Sequence, residues 1–96
     1  MSKPQAEMSI EQTLRARLAG FAPQVFELRD DSAAHAGHAG AREGGHYYLT
    51  LVSEQFTQMG RLARHRAVMD RVADLIPSPI HALSVKLFTP HEFASH

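Results

Sequence analysis

The sequence predicts one α/β (α+β) domain with the element order α-β-β-α-β-α. Its 96 residues suffice for a single domain with one modest core. Two segments repeat apolar residues at helical spacing, and three shorter segments alternate apolar residues with a period of two. A three-stranded sheet covered by helices buries all these apolar faces together. We place this domain in residues 9–96, after a disordered tail of residues 1–8.

The first helix is predicted from Ser9 to Ala19. Ser9 and Gln12 have the spacing of a capping box. Gly20 is expected to adopt the left-handed conformation that ends a helix, and Pro23 prevents its continuation. The apolar stripe of this helix consists of Ile10, Leu14, Leu18 and Phe21.

Two strands are predicted next, over Gln24–Arg29 and Tyr47–Ser53, because apolar and aromatic residues alternate there with a period of two. The segment between them, Asp30–Gly45, is rich in glycine, alanine and histidine. Loops longer than about 12–15 residues are uncommon in compact domains and are usually functional or disordered. This loop is therefore a candidate functional segment.

The second helix is predicted from Gly60 to Ile76, where Pro77 stops it. Its core-facing stripe is expected to consist of Leu62, His65, Met69, Val72 and Ile76. A basic surface on the same helix is expected from Arg61, Arg64, Arg66 and Arg71. Such surfaces are usually solvated and hold ion pairs worth under about 1 kcal/mol each, and phosphate contact is the sharper alternative.

The third strand is predicted over Ile80–Phe88. The period of two places His81 on the same face as Leu83, at the beginning of the strand. A last helix opens with Thr89 as the N-cap and with Glu92 three residues later, which is again capping-box spacing.

The charge balance is neutral, with ten Lys and Arg residues and ten Asp and Glu residues. Such a chain does not favour non-specific binding to nucleic acid or to a membrane surface. The N-terminal residues lack the apolar region of a signal peptide, and no stretch approaches the roughly 18 apolar residues of a membrane span. We therefore expect a cytoplasmic protein without a membrane partner.

Histidine is the unusual feature of the composition, with seven residues, whereas cysteine is absent. The absence of cysteine excludes disulfides, thiolate zinc sites and thiol nucleophiles from this chain. His35 and His38 lie in the long loop, and His81 opens the third strand. Imidazole is the commonest metal ligand among side chains near neutral pH. Two interpretations stay open: incidental loop and core-edge histidines, or loop and strand ligands for a metal that a partner also holds.

The other histidines that were considered are expected to be structural, and no enzyme site is expected. We expect His46, at the far end of the long loop, and His65 to be mainly structural; for His65 the reason is that a histidine on a buried helical face is usually satisfied by a hydrogen bond. An enzyme is not expected, because the chain has no Walker loop or dinucleotide fingerprint. A catalytic triad could be sought among Asp30, Asp31, Ser32 and His35, but these residues share one flexible run without the rigid elbow that orients a nucleophile.

Several motifs resemble those of the BolA family between Ile10 and about Glu92. The first group is Asp31-Ser32 with His35, Gly45-His46-Tyr47, Val52-Ser53 and Phe56-Thr57. The second group is Arg64-His65-Arg66, Ile80-His81-Ala82-Leu83 and Thr89-Pro90-His91-Glu92. Two positions depart from the family pattern: Gln58 stands where glycine is common, and Phe93 replaces the usual tryptophan.

The resemblance implies a class II KH-like fold with a mixed three-stranded sheet. It also implies a partnership with a monothiol glutaredoxin, in which the two proteins share a [2Fe–2S] cluster and the glutaredoxin and glutathione supply thiolates. Carried over by motif, His81 is the strand ligand and His35 the loop ligand. His38 has no clear family counterpart and competes with His35. The expected function is an adaptor in iron–sulfur assembly, trafficking or iron-dependent regulation, free of cofactor when isolated and then a monomer or weak homodimer.

Two alternatives remain. Some family members resemble transcriptional regulators, which implies DNA contact through the KH-like surface, here supplied by the arginines of the second helix. The other alternative is a self-contained zinc site at His35, His38 and His81.

Overall fold

A computed structural model describes residues 9–31 and 45–95 and confirms the α+β architecture with a mixed three-stranded sheet. The elements are α1 (Ile10–Leu18), β1 (Val25–Asp30), β2 (Gly45–Val52), α2 (Arg61–Val72), β3 (Ile80–Phe88) and α3 (Pro90–Ala94). Short 3-10 turns follow α1, β2 and α2. The predicted tail of residues 1–8 lies outside the described residues.

Helix α1 begins with the predicted capping box but ends differently. The hydroxyl of Ser9 accepts from the backbone N–H of Gln12 at 3.0 Å, and the Gln12 side chain accepts from the Ser9 N–H at 2.9 Å. Gly20 lies within a 3-10 turn, and it is Ala22 that takes the left-handed conformation, with φ 48°. Gly20 instead permits a close approach, because a Cβ there would lie 3.1 Å from Nη1 of Arg71.

The sheet has the order β1-β2-β3, with β2 antiparallel to β1 and parallel to β3. A parallel neighbour needs a crossover connection, which α2 provides. Leu49 and Leu51 of β2 are at most 1% exposed and join one core cluster with Leu14 of α1 and Val68 of α2. Both long helices therefore cover the same face of the sheet. Tyr48, which precedes Leu49 in the sequence, is exposed on the opposite face.

The structure confirms the later part of the predicted core stripe of the second helix, since Val72 is buried and Met69 and Ile76 pack against the core, but not its first turns. The buried residues of α2 are Arg64, Val68 and Val72. Leu62, expected in the core, is 62% exposed. The prediction was wrong because Arg64, a charged residue, occupies the core-facing position in the first turns, and apolar periodicity cannot detect such a position.

The connection between β2 and α2 anchors the centre of the core. Phe56, in the 3-10 turn Glu54–Gln58, is fully buried, and its ring centroid lies 5.4 Å from that of Phe21. The hydroxyl of Ser53 donates to the carbonyl of Phe21 at 2.6 Å and accepts from the N–H of Gln55 at 3.0 Å. These contacts fix the end of β2 against the end of α1.

Among the described residues, no helix is both long enough and apolar enough to cross a membrane.

Candidate metal-ligand site

Two imidazoles meet where β2 and β3 begin. The rings of His46 and His81 are stacked, with centroids 5.1 Å apart and an interplanar angle of 26°. His81 is exposed and His46 is half-buried. The pair therefore lies at the surface where the two strands begin, and His81 is the more exposed of the two. The sequence pattern did not predict this contact, because the second strand was predicted to begin only at Tyr47 and its pairing with the third strand was not indicated, whereas β2 begins at Gly45 and includes His46.

An irregularity in β3 places His81 in this position. Gly45 pairs with Ile80 and His46 pairs with Ala82, so β3 contains one extra residue, His81, opposite that step of β2. An extra residue of this kind redirects side chains. Ile80 is fully buried while His81 is exposed. The prediction that His81 follows the face of Leu83 was therefore wrong. The signal in the sequence is the spacing of three between Ile80 and Leu83, which a regular strand could not bury on one face.

Both ends of the segment between β1 and β2 are held beside this pair. The N–H of Asp31 donates to the carbonyl of His46 at 2.8 Å. The N–H of Gly45 donates to the carbonyl of Pro79 at 3.2 Å, two residues before His81. The segment that carries His35 and His38 therefore starts and finishes at the histidine pair. His35 and His38 themselves lie outside the described residues.

The described residues do not form a complete metal site at this place. Within residues 9–31 and 45–95, no cluster of three or more His, Cys, Asp or Glu side chains could hold a metal ion. The sequence contains no cysteine. An exposed imidazole such as that of His81 can complete the coordination of a metal centre whose other ligands come from elsewhere. Among the described residues, His81 is therefore the candidate for a single imidazole ligand of this kind.

The four arginines of α2 do not form one exposed surface. Arg64 is only 6% exposed, and its guanidinium donates to both carboxylate oxygens of Glu92, at 2.7 and 3.1 Å. Arg71 is exposed, but its guanidinium carbon lies 4.9 Å from the ring centroid of Phe21. Arg61 and Arg66 remain, exposed and without a hydrogen bond to any described residue. Arg64 is therefore removed from the predicted basic surface, and Arg61, Arg66 and Arg71 are its exposed residues.

His65 also lies elsewhere than predicted. It is exposed, so its expected place in the buried stripe was wrong. It lines a surface depression of about 410 Å³ between α2 and β3, together with Arg61 and Lys86. Its imidazole is thus available to solvent rather than satisfied within the core.

The carboxylate of Glu92 is strongly perturbed by this arrangement. The Arg64 guanidinium, with a smaller contribution from the backbone N–H of Thr89, lowers the pKa of Glu92 from 4.5 to about 2. The same carboxylate completes the capping box of α3, accepting from the Thr89 N–H at 2.9 Å. One carboxylate therefore joins α3 to α2, which is a structural role for both motif residues.

These features define a class of protein: a small cysteine-free α+β domain that presents an imidazole pair at the edge of a mixed sheet. A family model described as BolA-like protein matches residues 18–92. The chain belongs to the BolA family.

Individual members of the family are similar to this chain over most of its length. BolA-like protein 1 of Mus musculus is 35% identical over 85 residues, which cover 88% of this chain and 61% of the mouse protein. The chain thus spans about three fifths of that relative's length. The DNA-binding transcriptional regulator BolA of Escherichia coli K12 is 34% identical, over 88% of this chain and 75% of that protein. The solved structure of BolA1 from Arabidopsis thaliana superposes with a TM-score of 0.76 at 31% identity, covering 88% of this chain and 96% of that one.

Proposed function

We propose that this protein is a non-catalytic adaptor that binds a monothiol glutaredoxin and supplies histidine ligands to a shared [2Fe–2S] cluster. The observation that carries the proposal is the exposed His81, stacked on His46 at the point where both ends of the long segment are held. His35 follows Asp31 by about four residues, and a chain of that length spans at most roughly 14 Å. This length is compatible with the proposal that a loop ligand and the strand ligand bind one centre.

The proposed ligands are His81 together with His35 or His38. A histidine in place of a thiolate removes negative charge from a cluster and raises its reduction potential. The protein itself holds one imidazole on a strand. Because it has no cysteine, it supplies no thiolate, and cluster binding depends on the partner. We place this adaptor in iron–sulfur assembly, trafficking or iron-dependent regulation.

The test is the visible absorption and circular dichroism spectrum of the mixed complex. The wild-type protein, added to cluster-loaded glutaredoxin with glutathione, is expected to change the spectrum from that of the glutaredoxin homodimer. His81→Ala is expected to abolish the change because the strand ligand is removed. His91→Ala, which removes an exposed imidazole from α3, is the matched control and should behave as wild type. Of His35→Ala and His38→Ala, only the variant that removes the loop ligand should alter the spectrum.

Two results would count against this proposal. If the spectrum with His81→Ala equals that with wild type, His81 is not a ligand. If the wild-type protein neither binds glutaredoxin nor changes its spectrum, the adaptor function is wrong.

A second candidate function is DNA binding, favoured by the name of the Escherichia coli relative and by the exposed Arg61 and Arg66. Duplex affinity is then expected to fall with salt. Arg66→Ala or Arg61→Ala should reduce the logarithmic salt slope by about 0.9 for each phosphate that the variant no longer binds. Arg15→Ala on α1 is the control. Fluorescence anisotropy between about 50 and 200 mM salt measures the duplex affinity. An affinity that does not change with salt would contradict DNA binding by these arginines.

A further inference from the structure

The sheet face opposite α1 and α2 is an open polar surface, which we call the open face. It contributes a depression of about 550 Å³ lined by side chains from all three strands. Those projecting from this face are Glu27 and Arg29 of β1, Tyr48 and Thr50 of β2, and Ser84 and Lys86 of β3. Within residues 9–31 and 45–95, neither long helix covers this face, and Tyr48 on its middle strand is exposed.

Tyr48 stands at the centre of the open face. It belongs to the middle strand and is 40% exposed, although large apolar surfaces usually lie in the core. Its cross-strand neighbour Arg29 places the guanidinium carbon 4.4 Å from the ring centroid. On its other side it pairs with Ser84. The ring thus has the Arg29 guanidinium beside it, and a partner that contacts Tyr48 meets an aromatic and a cationic group together.

The open face is continuous with the histidine pair. His46 precedes Tyr48 by two residues, so the two side chains lie on one face roughly 7 Å apart along the strand. His81 is stacked on His46. A standard protein interface covers about 800 Å² on each partner, which corresponds to a patch of roughly 16 Å radius. A protein that reaches His81 with such an interface over the sheet therefore also covers Tyr48.

The charges of the open face indicate what kind of partner surface it fits. Arg29 and Lys86 flank Tyr48 on the outer strands, and Glu27 is the acidic residue among those lining the depression. Tyr and Arg are among the residue types that most often dominate binding energy at interfaces. A surface that places carboxylates against Arg29 and Lys86, around an apolar contact for the Tyr48 ring, is complementary to it.

We propose that the open face docks the cluster-sharing partner, with Tyr48 and Arg29 as anchors and with acidic residues of the partner facing Arg29 and Lys86. This inference rests on the proposed adaptor function and extends it from the ligands to the docking surface. The cluster ligands lie at one end of this surface and the anchors lie at its centre. Affinity and cluster coordination are thereby assigned to different residues.

The test measures the affinity for glutaredoxin by titration calorimetry and then the spectrum at saturation. Tyr48→Ala is expected to weaken binding about tenfold or more, while Tyr48→Phe, which keeps the ring, should bind nearly as wild type. At saturating glutaredoxin, Tyr48→Ala should reach the wild-type spectrum, whereas His81→Ala should not. Leu62→Ala is the matched control, because Leu62 is also a large exposed residue but lies on the helical side, on α2. Thermal unfolding checks that each variant is folded.

The outcomes separate the docking surface from the adaptor function. If Tyr48→Ala binds glutaredoxin as strongly as the wild-type protein does, the docking proposal is wrong and the adaptor function is unaffected. No wild-type binding overturns both. Tyr48→Ala could instead leave glutaredoxin binding intact and abolish either a homodimer, measured by sedimentation, or the binding of single-stranded oligonucleotides, measured by anisotropy. In that case the open face binds a second copy of the chain or an oligonucleotide, and the docking proposal is wrong.

Discussion

Phe56→Ala is expected to lower the free energy of unfolding by about 3–5 kcal/mol, because it removes a large buried ring and leaves a cavity. Phe56 is the largest of the fully buried side chains, and its ring centroid lies 5.4 Å from that of Phe21. Folded domains are typically stable by only about 5–15 kcal/mol. The substitution therefore removes a large part of the total.

Urea unfolding measures this destabilisation as a lower midpoint with an unchanged m-value. Phe56→Leu, which retains much of the apolar volume, should cost roughly 1–2 kcal/mol. Leu62→Ala should cost little, since Leu62 is 62% exposed. A destabilisation below about 1 kcal/mol for Phe56→Ala would contradict the placement of this ring at the centre of the core.

Local signals in the sequence predicted most of the fold. Capping boxes and periodicity depend on residues within one or two turns, so α1, β3 and the beginning of α3 were located from neighbours alone. The element order was also correct. The 3-10 turn that carries Phe56 was not predicted, because a single short turn has no periodic pattern.

The errors come from residues whose position depends on distant partners. Arg64 was expected at the surface because it is charged, and its burial becomes favourable only when Glu92, 28 residues away, accepts both ends of its guanidinium fork. His81 was assigned to the wrong face because the extra residue in β3 is defined by pairing with β2. His46 and His81 meet for the same reason. Contacts of this kind follow from tertiary structure, and a sequence contains only indirect traces of them.

The motifs that this chain shares with the BolA family have different physical roles. Arg64 and Glu92 come from two motifs that lie far apart in the chain, yet they form one ion pair. Arg64 also donates to the carbonyls of Met59 at 2.9 Å and of Leu87 at 3.2 Å. It thus connects the start of α2, the end of β3 and α3. The exposed ring of His81 instead stacks on His46 at the surface, and this accessibility is what a ligand role requires.

Arg64→Met is expected to destabilise the protein by about 2–4 kcal/mol. The substitution leaves the backbone carbonyls of Met59 and Leu87 without their hydrogen-bond donor, and the free energy lost in this way is only partly recovered. Methionine retains an unbranched apolar stem, so the packing of that stem is largely preserved and the destabilisation reports on the guanidinium. Arg64→Lys should recover little, since an ammonium group cannot reproduce the bidentate fork that holds Glu92. Urea unfolding at pH 7 measures the difference, and a value below about 0.5 kcal/mol would show that the pair is no more important than an exposed one.

The pH dependence gives an independent measurement of the same pair. The pKa of Glu92 is lowered from 4.5 to about 2 in the folded protein, with the hydrogen bond from Arg64 as the main cause. The stabilisation from this carboxylate is therefore present above pH 4.5 and is lost as the pH falls towards 2. Arg64→Met removes the cause of the lowered pKa, so its unfolding free energy should fall less steeply across this range than that of wild type. Glu92→Gln removes the titrating carboxylate and should flatten the pH dependence at least as much, and the double variant should flatten it no further than Glu92→Gln alone. Equal slopes in wild type and Arg64→Met would mean that Arg64 does not hold the Glu92 carboxylate in its charged form.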